Sequence, residues 1–422
     1  MFYVLTATVC ALFLAGCSPS PKADLPLSVS LMDSFSFLPL IREDSDLRDE
    51  MAQDLAFAVA NRGAPQAAIA VTTNMITPLK VATLYRISII AEQSGDHGSA
   101  LRAFLAGEKG MDAYPLNTPR VPDIYRAAAY AVMKNPAQAR EKAQKLGNDF
   151  DRNEAISKIL AEEILQSSNP LALPNAPVVT QELASAWCAR AVNAGAAQAK
   201  PYMEKALVIA RDGFPVFRPR MLIDCAKAEG KLGNNDAQEM LLREAGSIAS
   251  ALGDRTETGS LERARVGIAM AQAGMRDTAR EVLEQAAVAS RLCASYFQPP
   301  AMCMVAEGWW ELGEKEKAKA MWLDAAKVAL VHPHPNARAV NAIHVLLSIS
   351  KYQPEIFPDL AAILERIKRG EGGEGSVNVT LSPEIQDAVS KTQKALYKNA
   401  LEKDKQNAVK NTPKDSKTKK QK

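Results

Sequence analysis

Six cysteines and four histidines are the raw material for metal or redox chemistry in this 422-residue chain. They do not fall at ligand spacings. There is no Cys-x-x-Cys, which removes the usual zinc and dithiol signatures. His332-Pro-His334-Pro offers two imidazoles without a third ligand, so a proline-stiffened turn is the simpler reading. Asp149, Asp151 and Asn153 open like a calcium loop. Glu154, however, stands where that loop turns on glycine, and Leu160 where it closes on glutamate. The run reads instead as a turn and a helix cap. Glu162 and Glu163 are adjacent and point apart on a helix. His344 lies on an apolar helix and reads as packed. No His-Glu-x-x-His, nucleophile elbow or phosphate loop occurs, and the glycines of 370–383 are not followed by Lys-Ser/Thr. The expectation is a chain with no catalytic residues, no metal ligands and no cofactor.

The cysteines divide by position. Cys188, Cys225, Cys293 and Cys303 have apolar helical surroundings, where a free thiol behaves as a small hydrophobe. Cys293 and Cys303 flank the turn at Pro299-Pro300 and form the candidate disulfide, bonded or free. Cys17 differs. It ends the run MFYVLTATVCALFLAGC, in which the apolar stretch Phe2–Ala15 closes on Leu14-Ala15-Gly16-Cys17. The stretch is too short to span a bilayer.

That ending resembles the lipobox of bacterial lipoproteins, although no Lys or Arg precedes the apolar run. The resemblance implies a signal peptide over 1–16 and lipidation of Cys17, with palmitate-type chains holding the protein on a membrane. Ser18 at the next position implies the outer membrane rather than the inner, with the chain on the periplasmic face of the envelope. A start site placed differently would instead leave a cytoplasmic adaptor.

The elements behind these residues follow a repeated grammar. Gly274 is followed by Ala279, Leu283 and Ala286; Gly313 by Ala318, Trp322 and Ala325; Gly95 by Ala100, Phe104 and Gly107. The offsets are identical in all three. Gly195 and Gly233 carry the pattern with a one-residue slip, and Asn135 and Gly63 open weaker copies. Each unit reads as two amphipathic helices hinged at the glycine, and such a hairpin buries its apolar face only against neighbours. Hydrophobic content of 47% with only 6% aromatic fits small-residue helix packing, and no stretch alternates as a sheet would.

The offsets resemble those of tetratricopeptide repeats, with Gly267, Ala279, Leu283 and Ala286 at that family's glycine, alanine, aromatic and alanine positions. The period is near 39 rather than about 34, and the family's closing proline is missing. The resemblance implies an all-α fold, a right-handed α-solenoid of antiparallel helix pairs over most of 50–350. It further implies that first helices line a groove, onto which Glu92, Gln93, Glu229, Gln272, Glu307, Trp310 and Glu311 face. An acidic groove with one indole suits a basic or aromatic peptide. The simpler reading is that these are ordinary helix positions, with Trp310 packed between units.

The chain then divides as signal peptide 1–16, lipid-anchored tether 17–45, and a first repeat segment 46–167. A proline-rich seam at 168–180 leads to a second repeat segment, 181–368. A glycine-rich linker 369–382, a helix 383–404 and a basic tail 405–422 complete it. The run Phe214–Arg220 mixes aromatic and basic residues and reads as packing an inter-repeat turn. From Lys391 onward the balance is +8, so the remainder carries −5 of the overall +3. An acidic body with a basic tail excludes a nucleic-acid-binding fold, which places positive charge on its structured face. The tail suits anionic lipid or cell-wall polymer.

Two functions fit. One is a membrane-anchored periplasmic scaffold that binds a protein or peptide through the repeat groove. The alternative is an α-toroid enzyme acting on a glycan or other polymer, which would require facing carboxylates of perturbed pKa.

Overall fold

A computed structural model describes residues 28–373, apart from 43, 77, 112–120, 254–255 and 353–355. The expectations for Cys17, the helix 383–404 and the basic tail lie outside the described residues. Residues up to Val377 belong to one compact unit.

The described residues are all helical, with eighteen α-helices, three short 3-10 segments and no strand. After α1 (Val29–Ser34) and a 3-10 turn Phe35–Leu40 come α2 (Ser45–Ala60) and α3 (Pro65–Val71), then α4 (Leu79–Gln93) and α5 (His97–Met111). Next are α6 (Val121–Val132), α7 (Pro136–Gln144) and α8 (Asp149–Gln166). The pairs continue as α9 (Gln181–Ala194) with α10 (Lys200–Asp212), α11 (Arg218–Lys231) with α12 (Asn235–Ala251), and α13 (Glu257–Gln272) with α14 (Arg276–Leu292). The last are α15 (Gln298–Glu311) with α16 (Lys315–Val331), and α17 (Pro335–Ser350) with α18 (Pro358–Lys368).

The hinges fall where the glycines are. Gly63, Gly95, Gly195, Gly233, Gly274 and Gly313 all have φ between 79° and 86°. At Gly274 the left-handed residue closes a helix end: Met275 N–H reaches back to Met270 O at 2.9 Å and Gly274 N–H to Ala271 O at 3.1 Å. At the hinge near Asn135 the left-handed residue is Lys134, with φ 60°, while Asn135 caps α7 by accepting from Gln138 N. The 147–153 run is a turn and helix start, as its composition suggested: Asn148 caps α8, its side chain accepting from Asp151 N at 2.8 Å.

Helix pairs pack through small residues. Leu283 of α14 is fully buried in a slot between Gly267 of α13 and Gly308 of α15. A methyl group on Gly267 would stand 2.7 Å from Leu283, and one on Gly308 2.3 Å from it. The two glycines therefore admit one leucine that locks three helices.

Each first helix packs on its own second helix and on the next first helix. The first helices α2, α4, α6, α8, α9, α11, α13, α15 and α17 thus form a series in which every member touches the next. α8 holds such a place without a second helix of its own, because the chain leaves it through Pro170 and the proline-rich stretch to α9. The series closes on itself: α17 touches α2, and α1 and the Phe35–Leu40 turn wedge against α17. Residues from Val29 onward, expected to be tether, are therefore helical packing. Leu31 and Phe37 are completely buried there, because the last pair would otherwise leave an apolar face open.

Candidate functional site

The first helices meet their neighbours largely through buried small and apolar residues. Each keeps a narrow stripe open to water, and ionisable residues are concentrated there. Asp54 on α2, Arg86 on α4, Tyr125 on α6, Glu162 on α8, Glu182 on α9, Lys227 on α11, Arg265 on α13 and His344 on α17 all touch water. The stripe is a belt, because side chains bridge consecutive first helices.

Starting from α2, Gln53 Nε2 donates to Thr83 Oγ1 of α4 at 2.9 Å. The Arg86 guanidinium lies 3.9 Å from the Phe57 ring of α2 and 5.1 Å from the Tyr125 ring of α6. Lys158 of α8 stands 5.3 Å from Tyr125 and pairs with Glu182 of α9 and, at 3.5 Å, with Glu154. Ser185 of α9 donates to Asp224 Oδ2 of α11 at 2.7 Å. Arg220 of α11 donates to Glu262 of α13 at 2.7 Å, and Arg265 approaches the same oxygen at 3.3 Å. Lys351, just past α17, reaches both oxygens of Glu307 on α15 at 2.8 and 2.9 Å.

The closure is bridged as well. Arg62, after α2, donates to the Ser350 carbonyl and, at 3.0 Å, to its hydroxyl. The Asn336 side chain on α17 pairs with both backbone groups of Arg42, at 3.1 and 2.8 Å. Lys368 of α18 pairs with Asp33 of α1 at 2.6 Å. A cleft of about 940 Å³ opens beside this closure, lined by Arg42, Asp44, Tyr296, His332, Arg338 and Lys368 among others. His332 and His334 face it with rings 5.7 Å apart, and His334 N–H donates to His332 Nδ1 within the turn that starts α17.

Desolvation shifts several groups of the belt. Asp54 is exposed, yet burial raises its carboxyl to about 6, against the pull of Arg86 and with help from Glu50. Burial likewise lifts Glu162 to about 7; Gln93, donating at 3.0 Å, opposes this and Glu182 adds to it. His344 is pushed down to about 4 by burial and then by Lys351. Burial works against the charge on Lys158, but Glu182, Tyr125 and Glu154 outweigh it and hold the ammonium above its usual range. Arg265 is held below its usual range by burial and by Arg220 beside it.

The residues expected to face a groove mostly serve this framework. Glu92 pairs with His97 at 2.9 Å, and Gln93 is buried on Glu162. Glu229 is buried and accepts from Asn234 at 2.7 Å. Gln272 donates to Glu311 across α13 and α15 at 3.0 Å, and Tyr352 donates to Glu311 at 3.2 Å. Glu307 is buried on Lys351 and Ser348. Trp310 is half-buried between Trp322 and Tyr352, with ring centres 5.7 and 6.1 Å away. Cys293 and Cys303 are free thiols; Cys293 Sγ lies 3.4 Å from the Ala289 carbonyl. The Phe214–Arg220 turn does not pack its aromatics: Phe214 is 68% exposed and Phe217 47%. Glu162 was weighed only as one of an adjacent pair with Glu163, and Asp54 and Lys158 were missed, because nothing local separates them from solvated helix positions. The chain matches no protein-family model, no curated protein and no solved structure.

Proposed function

We propose that the chain is a membrane-anchored periplasmic scaffold that holds a protein or peptide partner on the stripe of its first helices. In this reading the helix pairs form a right-handed, tetratricopeptide-like solenoid, and the stripe is its concave lining. The supporting observation is the closed series of first helices with water-accessible but desolvated charges, Asp54 foremost. Such groups are poor at stabilising a bare fold and good at recognising a polar chain that replaces their water. Lipidation at Cys17 supplies the anchor, on the outer membrane in preference to the inner, and the basic tail adds contact with anionic lipid or cell-wall polymer.

A photo-crosslinking residue at Asp54 or Lys227, compared with Glu239 or Lys319 on second helices, tests the lining in cells. A discrete adduct from the first pair alone supports the scaffold. Adducts only from the second pair, or none at all, reject it. Acyl labelling that disappears in Cys17→Ala tests the anchor.

The second reading, an enzyme on a glycan or other polymer, is favoured by one observation. Glu50 and Asp54 share the stripe one turn apart, and Asp54 keeps a proton to about pH 6. Release of soluble sugar from cell-wall polymer by the wild type but not by Asp54→Asn would carry it; no release by either would end it.

A further inference from the structure

α9 and α11 follow the place where the helix-pair pattern breaks, after the proline-rich stretch 168–180. Cys188 of α9 and Cys225 of α11 meet there with sulfurs 3.6 Å apart. Neither side chain touches water. The register that brings them together is fixed independently one turn away, where Ser185 donates to Asp224 Oδ2 at 2.7 Å and Gln181 to the same oxygen at 3.3 Å. The neighbouring small residues Ala184, Ala189 and Ala226 leave these helices close along this stretch.

We propose that Cys188 and Cys225 are a disulfide site, a covalent staple between consecutive first helices. Two sulfurs in van der Waals contact on packed helices have about 1.5 Å left to close to reach bonding distance, about 2.05 Å. The reaction is thiol–disulfide exchange with a small disulfide donor. One cysteine thiolate attacks the donor and expels one thiol. The second cysteine thiolate then attacks the mixed disulfide, forms the Cys188–Cys225 bond and expels the other thiol. The two cysteines are oxidised by two electrons and the donor's sulfurs are reduced; the two cysteine protons end on the two released thiols. The neighbouring Cys225 sulfur and burial hold the Cys188 thiol protonated in the folded chain, so exchange runs readily on the folding chain and only over days in the folded one, as its helices open.

The pair closes a loop across 37 residues of chain, long enough for a staple to restrict the unfolded state appreciably. The site is independent of the function proposed above, and its outcome bears on neither of the two readings.

The test is to refold the full chain from urea in glutathione buffers of graded oxidised-to-reduced ratio, and to oxidise a native sample in parallel for several days. Samples regaining native helical circular dichroism are alkylated and digested without reductant. The expected result is a linked Cys188–Cys225 peptide, 2 Da lighter than the sum of its parts. The thermal midpoint should rise by on the order of 5 °C over the reduced chain, and Cys188→Ala should abolish the rise while Cys293→Ala and Cys303→Ala keep it. Free thiols at both positions, a glutathione adduct on either, or a Cys293–Cys303 bond formed in preference would overturn the site. If no sample refolds, the native one decides by the same peptide.

Discussion

Glu162 and His344 are ionisable residues of opposite type, both held neutral by burial over a pH range in which the unfolded chain is charged. Glu162 titrates near 7 in the folded chain, against an ordinary value of 4.5. Between those values the native state keeps a proton that the unfolded state has lost. Stability therefore falls as pH rises from about 4.5 to 7 and is flat beyond. Glu162→Gln should stabilise the fold at pH 8 by on the order of 1–2 kcal/mol once the water at the side chain is discounted, read as a higher thermal midpoint, and leave the midpoint unchanged at pH 4.5. An unchanged midpoint at pH 8 refutes this. His344 works the other way, with a folded value of about 4 against an ordinary 6.5. Below 6.5 the unfolded state binds a proton that the native state refuses until about 4, so stability is lost as pH falls through that window. His344→Gln should narrow that loss between pH 7 and pH 5, again by on the order of 1–2 kcal/mol, read by urea titration.

Among the elements, close approach decides the stacking. Gly308 and Gly267 make room for Leu283, and a methyl group on Gly308 would lie well inside contact distance of the Leu283 side chain. Gly308→Ala should cost about 1–3 kcal/mol through overpacking and Leu283→Ala about 2–5 through the cavity it leaves. In the double variant the methyl occupies vacated space, so the loss should be smaller than the two single losses combined. Additive losses in urea unfolding would contradict the slot. These elements were readable in advance: the Gly274 and Gly313 offsets located both hinges and the leucine's pocket. The helix that carries Glu162 and Glu163, α8, was readable too, ahead of the proline-rich seam. The helix at Val29–Ser34 was not, because six residues amid prolines and serines have no helical tendency of their own and are held by α17.

For the unit up to Val377, the closing contact sets cooperativity. Arg62 on Ser350, Lys368 on Asp33 and Asn336 on Arg42 tie residues almost three hundred positions apart or more. Replacing Arg62 and Lys368 together by alanine should raise amide hydrogen exchange on the order of tenfold in both α1 and α17, leaving α9 to α13 unaffected. Exchange rising in only one of the two helices would mean that they do not protect each other.

Sequence alone determined the helical class, the hinge positions and the slot-and-leucine packing. Each depends on spacing within some forty residues, which a repeat copies along the chain. The tertiary structure alone decided that the first helices return to meet themselves and that the Cys188 and Cys225 sulfurs come into contact. It also decided that Asp54, Glu162 and His344 lose much of their water. The closing contacts join residues some three hundred positions apart, a separation invisible to any local pattern. A charge in a recess has the same neighbours in sequence as a charge on an open face; only the surrounding helices separate the two.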